Sequence, residues 1–590
     1  MDYTWSLKEL YDGFETEQFK DDLASAKAFK DDFSAWASEE LSCTQNAAEK
    51  IKKFIDFTNK GTKFRGLFLF CSLTLSTEAE NSLALKNMSQ LQGIMAELSK
   101  PNALFKDFLK NVDNLSEIIE NNTELKEYEF VLKEMKESTK YQLTKEEEIL
   151  LSKLTITGSS AWSTMYNQAL SALKIPYTNP ETGEARDITL PEIRGLASNR
   201  NADVRKTAFE AEIKSYKEVE KQAAAALNAI KGEANTVAAA RGYESVLDMT
   251  LMQSRLEKEA LDAMWDAIRE SLPKFWAYLR HKGELLGDKD GIKYYNIMAP
   301  VGSAQMTFTY DEGIKYVIDN FRKFSDKLAD FTQNAHENRW VDVYPRPGKR
   351  GGAFCAGITP VKESRILMNY SGSFSSVSTL AHEFGHAYHN ECMKELSILN
   401  RSVPMPLAET ASTFCETIIS QEALKSASQE EKLFILDNLI MTPFQVCVDI
   451  YSRFLFEDAV INRRKSETLS SDELKKIMEE SIKTAYGEGI NQEILHPYMW
   501  VNKGHYYSAG LNYYNFPYAY GQLFASGLYS MYLEEGEAFV EKYDKLLEAT
   551  GSNTLKGVGE LCGIDITDKN FWKKSLKVTE DFIDEFLKLK

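Results

Sequence analysis

Patterned cysteines are missing from this sequence. Its seven cysteines stand scattered at 43, 71, 355, 392, 415, 447 and 562, with no CxxC pair. An odd, sparse set suits a reducing cytosol better than a disulfide framework. Proline is scarce, 14 in 590 residues, so little interrupts the helical periodicity that runs through most segments. Basic charge is in deficit, with 70 Lys and Arg against 88 Asp and Glu, a net −18. A surface that acidic repels phosphate backbones and anionic lipid, so no nucleic-acid partner and no membrane partner are expected. Long apolar runs are lacking too. The longest, around Gly66 to Leu75, falls far short of the roughly 20 residues of a spanning helix. The opening Met1-Asp2-Tyr3-Thr4-Trp5 has no basic n-region and no apolar h-region. No secretory signal is expected, and the location these features suggest is cytoplasmic.

What is present reads as mainly α. At 590 residues and 43% hydrophobic content, the chain is too long for one simple core and ordinary for a globular protein. Ala223 to Ala240 is alanine-rich and predicts a long buried helix, stopped at Arg241-Gly242-Tyr243 by a glycine C-cap. Near the C-terminus Phe582, Ile583, Phe586 and Leu587 share one helical face, the pattern of core packing. Breaks fall at Tyr177 to Arg186, a turn-rich hairpin candidate, at Asp288 to Gly291, which closes a long helix, and at Tyr344 to Gly352, the densest Pro/Gly cluster. Two short strand-like runs follow, Ala353 to Gly357 and Arg365 to Tyr370. The expected organisation is an N-terminal helical domain over 1–105, a linking helical region over 106–195 and a catalytic domain over 196–590.

Histidine is also rare. There are seven, and three crowd into His382-Glu383-Phe384-Gly385-His386-Ala387-Tyr388-His389. Within this run lies HExxH. On a helix, residues i and i+4 share a face, so His382 and His386 can reach one ion. Glu383 falls beside that ion, where it can take a proton from a water at the metal. The preceding Ser375 to Ala381 offers N-cap hydroxyls and an apolar entry to such a helix. A catalytic zinc needs a third protein ligand and an open position. His389 is nearest in sequence, but the outer two of three ligands on one straight helix lie over about 10 Å apart at about 1.5 Å rise per residue. His389 therefore reads as a structural residue or a support for a ligand. A better source lies downstream, where Pro404 to Ser412 opens a second helix, with Glu409 in its first turns and Glu416 seven residues on, on the same face. One carboxylate can bind the metal while the other orients a ligating imidazole through its second N–H. Ala408, Ala411, Phe414 and Cys415 flank them and mark a buried helix, where a carboxylate needs a cation or hydrogen-bond donors.

HEFGHAYH followed by LAETASTFCE resembles the M3 metallopeptidases, and specifically their oligoendopeptidase F branch. Weaker segments resemble that branch in the same order: Trp5 to Tyr11, Thr157 to Trp162, Leu227 to Ile230 with Arg241 to Tyr243, and Lys349 to Phe354. The resemblance implies a zincin-like, mostly helical fold, with a deep channel and a small β-sheet beside the active-site helix. It implies one Zn2+ per chain, held by His382, His386 and Glu409, with Glu383 as base and Glu416 supporting a ligand. It also implies a downstream histidine, matched by His505, and tyrosines that bind substrate and stabilise an oxyanion. Six tyrosines follow His505 up to Tyr520. Tyr514 and Tyr518 are the choices, with Tyr513 and Tyr520 as the alternatives.

The function expected is a zinc-dependent endopeptidase that cleaves short oligopeptides, its substrates being its partners. The strand around Ala353 to Gly357 is placed to pair with a substrate backbone. Three alternatives stand: a zinc carboxypeptidase of related helical fold, a non-catalytic peptide-binding protein and a structural metal. The intact Glu383 argues against the second, and a HisHisGlu set with one open position argues against the third. Oligomeric state and cleavage preference leave no signal in the sequence.

Overall fold

Helix-forming residues with few prolines give what their periodicity dictates. The computed structural model of the chain describes residues 3–302 and 306–589, and helices dominate it. The alanine-rich run forms a helix over Glu220–Arg241, with Ala223, Ala224, Leu227, Ile230 and Ala234 buried. It ends at Gly242, whose φ of 86° is left-handed backbone that glycine adopts without strain. The C-terminal helix, Lys569–Phe586, buries Phe582, Ile583 and Phe586.

Strand is confined to two small sheets. β1 (Ile175–Thr178) and β2 (Ala185–Ile188) form the antiparallel hairpin across the turn-rich segment, with Ile175 opposite Ile188. β3 (Val341–Asp342), β4 (Phe354–Ile358) and β5 (Glu363–Leu367) make the second sheet, in the order β3-β5-β4. β5 runs parallel to β3 and antiparallel to β4, pairing Cys355 with Ile366. The second strand thus ends at Leu367, before the expected Tyr370. Met368 and Tyr370 instead donate their N–H groups to the carbonyls of Asp342 and Val343. β4 is an edge strand, and among the described residues its outer side pairs with no other strand.

The N-terminal segment locks onto this sheet. Trp5, Leu10 and Tyr11 share an apolar cluster with Ile358 and Leu367 and with helix Ala47–Thr77. Arg365 on β5 is fully buried; its guanidinium donates to Glu9 at 2.7 Å and Glu363 at 2.8 Å and lies over the Trp340 ring. A second cluster runs from Phe33 to Leu132. The largest spans Tyr166 to Phe586 and carries the candidate site.

One helical rod, Gln429–Arg463, is long and apolar enough to cross a membrane by length and composition. Its apolar window is 61% buried inside the protein, as a core helix would be. A π-helical segment, Gln445–Asp449, interrupts it.

Candidate metal centre and active site

The HExxH run lies in a helix over Phe374–Cys392. Its cap is Ser373, whose hydroxyl accepts from the Ser376 N–H, so the cap lies two residues before the run at Ser375 that promised it. Val377, Leu380, Ala381, Phe384, Ala387 and Tyr388 are all fully buried. This apolar side fixes the helix and turns the His382 and His386 rings, with centroids 5.0 Å apart, toward the opposite edge.

The second helix follows as Met405–Ala408, then Thr410–Ser426. Glu409 is the hinge between the two pieces, not a residue of a continuous first turn as its sequence suggested. At the crossing with the motif helix, Gly385 lies against the backbone of the second helix. A Cβ there would lie 2.5 Å from the Ala411 carbonyl oxygen and 2.6 Å from the Ser412 Cα. Glycine at this point of HEFGH therefore lets the second backbone approach until Glu409 meets the imidazoles.

The result is a three-donor cluster. His382 Nε2 and His386 Nε2 each lie 3.3 Å from Glu409 Oε2, and the ligand atoms fall within 4.8 Å of one another. Ser412 Oγ donates to Glu409 Oε2 at 2.8 Å. On the other side His382 Nδ1 lies 3.4 Å from Glu416 Oε2, and Ser378 Oγ donates to Glu416 Oε1 at 3.1 Å. Burial works against charge on His382, but Glu409 and Glu416 outweigh it and push the imidazole up to about 10. Burial likewise opposes charge on Glu409, yet the two imidazoles hold its carboxyl well below the usual range. The cluster therefore attracts positive charge. Glu383 is 5% exposed, its Oε2 has no hydrogen-bond partner, and burial raises its pKa. His389 is elsewhere: its Nε2 is 2.7 Å from Thr550 Oγ1, and burial pushes its pKa down to about 4.

His505 lies in a 3-10 turn, Gly504–Tyr507. Asn515 Nδ2 donates to its Nε2 at 2.7 Å, leaving Nδ1 as the protonated nitrogen. Burial, with the positive charges of Arg453, Lys231 and Lys503, pushes its pKa down to about 3, so the ring is neutral. The six tyrosines separate by partner. Tyr506 donates to the Arg453 carbonyl, Tyr507 to that of Trp500, and Tyr513 to Asp458 at 2.8 Å. Tyr520 is fully buried against Phe524 and Trp572. Tyr514 and Tyr518 remain half-buried, their hydroxyls 2.9 Å apart. The Tyr514 ring stands 5.7 Å from His505, and the charge of Glu409 contributes, after burial and Tyr514, to raising Tyr518.

Comparison with known proteins gives the family. The model of "Peptidase family M3" matches residues 195–578, and that of "Oligopeptidase F" matches 111–175. The chain belongs to peptidase family M3. It is 28% identical over 492 residues to oligopeptidase PepF of Bacillus subtilis, covering 81% of this chain and 71% of that one. It is 27% identical over 420 residues to the chromosomal oligoendopeptidase F of Lactococcus lactis, covering 71% and 69%. In fold, a Chlamydophila abortus protein described as a candidate peptidase matches all of this chain and 98% of its own, with TM-score 0.87 at 21% identity. Oligoendopeptidase-F from Enterococcus faecium matches 97% and 98%, with TM-score 0.71 at 18% identity.

This M3 chain is thus a metalloendopeptidase, and a metal cofactor goes with its family. Its residues fit such an ion. Two imidazoles and a carboxylate converge, their field favours a cation, and Glu383 beside them holds an oxygen that no protein group satisfies. Sequence reasoning missed Ser378, Ser412 and Asn515. Ser378 lies one helical turn before His382, the partner of its carboxylate, and Ser412 one turn after its own carboxylate Glu409, spacings that could have flagged them. Asn515 left no such signal, because the turn that returns it to His505 has no regular period.

Proposed function

We propose that this metallopeptidase is a zinc-dependent endopeptidase that hydrolyses internal bonds of short oligopeptides, one Zn2+ serving each chain. The observation that carries the proposal is the convergence of His382, His386 and Glu409 beside the unpartnered Glu383 carboxylate. His382, His386 and Glu409 would hold the ion and leave a position open. When bound, zinc supplies Lewis acidity that lowers the pKa of a water from about 15.7 toward about 7 and polarises a carbonyl. Glu416 accepts from His382 Nδ1–H and so keeps Nε2 free as the donor atom. Glu383 takes the attacking water's proton on Oε2 and returns it to the leaving amine. Its buried setting favours holding that proton between the two steps. Tyr514 and Tyr518, with the neutral His505, donate to the oxyanion as it develops. The outer edge of β4 accepts the substrate backbone as an added strand.

Short peptides are the substrates we infer because the donors sit low in the protein. His382 keeps 28% and His386 25% of the side chain open to solvent, while surrounding protein still opposes charge on His382. That combination suits the floor of a deep channel. We read 1–105 and 106–195 as the helical parts walling it and 196–590 as the catalytic part. Seven cysteines, all free, fit a cytoplasmic setting.

The test is metal dependence with product analysis. A strong chelator is expected to abolish cleavage of an end-blocked peptide, and stoichiometric zinc to restore it, with internal fragments as products. Full activity in verified metal-free protein, or single residues released from a free C-terminus alone, would overturn the proposal.

A further inference from the structure

A cavity of ≈ 360 Å³ with charged and apolar walls lies away from the metal donors, none of which lines it. Its walls come from the π-helical segment, from the turn around Met499–Lys503 and from the region of Arg194 to Glu212. Four cations reach it, Arg194, Arg205, Arg453 and Lys503, against two carboxylates, Glu212 and Asp449. Those carboxylates are already engaged. Arg453 Nη2 and the Tyr486 hydroxyl bond Asp449, while the Tyr216 hydroxyl bonds Glu212 at 2.7 Å, with Arg194 Nε at 3.6 Å. Arg205 spends its donors on neutral oxygens of Asn199, Arg200 and Asn296.

One cation and two ring or guanidinium nitrogens are left without partners. Lys503 lines the cavity, and its ammonium pairs with no carboxylate among the described residues. Arg453 Nε is buried without an acceptor. His496, 3% exposed, adds an Nδ1 that likewise has no partner. Leaving such groups unpaired is costly in a protein interior. Lys503 registers that cost, since burial, then repulsion from Arg453, pushes it down to about 7. Phe209, Tyr294 and Met298 supply an apolar wall.

We propose that this cavity binds a small monocarboxylate, with Lys503 as the cation that meets it and Arg453 and Arg194 as flanking charges. Arg194 and Arg453 already face Glu212 and Asp449, and Arg205 spends its donors on neutral oxygens, so Lys503 is the one cation left to meet a single negative charge. The apolar wall and the volume admit a body the size of an amino-acid residue, so the source is a free small carboxylic acid or the C-terminal end of a peptide. Occupancy reaches the catalytic side through a short path. Lys503 precedes His505 by two residues, and the Arg453 carbonyl accepts from Tyr506, whose ring is 4.5 Å from His505. The site stands independently of the zinc reading.

The experiment is calorimetric titration of the holoenzyme at fixed ionic strength with N-acetylleucine, N-acetylleucinamide and acetate. The acid is expected to bind and the amide not. Acetate binding as tightly as N-acetylleucine would identify free small acids as the source, and a clear preference for N-acetylleucine a residue-sized end. Lys503→Met is expected to weaken the acid about tenfold or more, the weight of one charged hydrogen bond, with zinc content and unfolding midpoint unchanged. Lys503→Arg is expected to retain binding. Equal binding of acid and amide, or undiminished acid binding in folded, zinc-loaded Lys503→Met, would place the ligand at the metal or nowhere and overturn the proposal.

Discussion

The proposed metal-holding half of the site rides on the motif helix and the broken helix that crosses it in backbone contact, whereas in the proposed His505–Tyr518 half only Tyr518 stands on a helix, and His505 and Tyr514 are carried by turns pinned from elsewhere. In the first half the spacing of His382 and His386 is the helix repeat itself, and Gly385 sets the distance to Glu409. In the second, His505 is oriented by Asn515, ten residues away, and Tyr513 adopts left-handed backbone at φ 51°. Its anchor is remote. Lys231, on the alanine-rich helix, is fully buried and donates to Glu457 at 2.7 Å and to Asn512 at 2.9 Å. Local periodicity builds one half, and buried charge pairing across more than two hundred residues builds the other.

Removing that anchor breaks the comparison most severely. Lys231→Met leaves Glu457 buried without its cation, which typically costs about 3–5 kcal/mol. The expected outcome is a lowered unfolding temperature by calorimetry. Below it the protein keeps its zinc but loses kcat, because the metal half does not depend on Lys231. Loss of zinc in step with activity would show that the halves are not separate.

A milder change sharpens the contrast among the tyrosines. Tyr514→Phe or Tyr518→Phe is expected to lower kcat about 10²–10³-fold, the usual effect of losing one oxyanion donor, with a smaller change in KM. Tyr520→Phe removes a buried hydroxyl that has no partner and is expected to leave kcat unchanged. Steady-state kinetics of the three variants decides, and unchanged kcat in both of the first two would return those residues to packing.

The smallest change acts on the metal half alone. Gly385→Ala forces a methyl against the Ala411 and Ser412 backbone, at a cost of about 1–3 kcal/mol for overpacking. The helices must part, Glu409 withdraws, and zinc affinity falls in a competition titration. Wild-type affinity in this variant would mean that the crossing does not position Glu409.

The same division explains what the sequence disclosed. HExxH, the alanine-rich helix with its Gly242 cap and the hairpin after Ile175 were legible because each follows from neighbours within a turn or two. The place of Glu409 between two helices was not, because Met405–Ala408 alone is one turn and its break is set by packing against Gly521, where a Cβ would stand 3.0 Å from the Pro406 carbonyl. Asn515, the Lys231 anchor and the π-helical segment stayed hidden for a related reason: each depends on residues that meet only after the chain has folded. Choosing among the six tyrosines required the partners of each hydroxyl, which no spacing contains.

The central claim is that Glu383 moves the proton while other residues hold the metal. Glu383→Gln tests it directly, since the amide keeps the shape but cannot accept a proton. Kinetics and elemental analysis on the same preparation are expected to give a kcat lowered at least about 10²-fold with zinc per chain near that of the wild type. Near-normal kcat in the zinc-loaded variant would contradict the account.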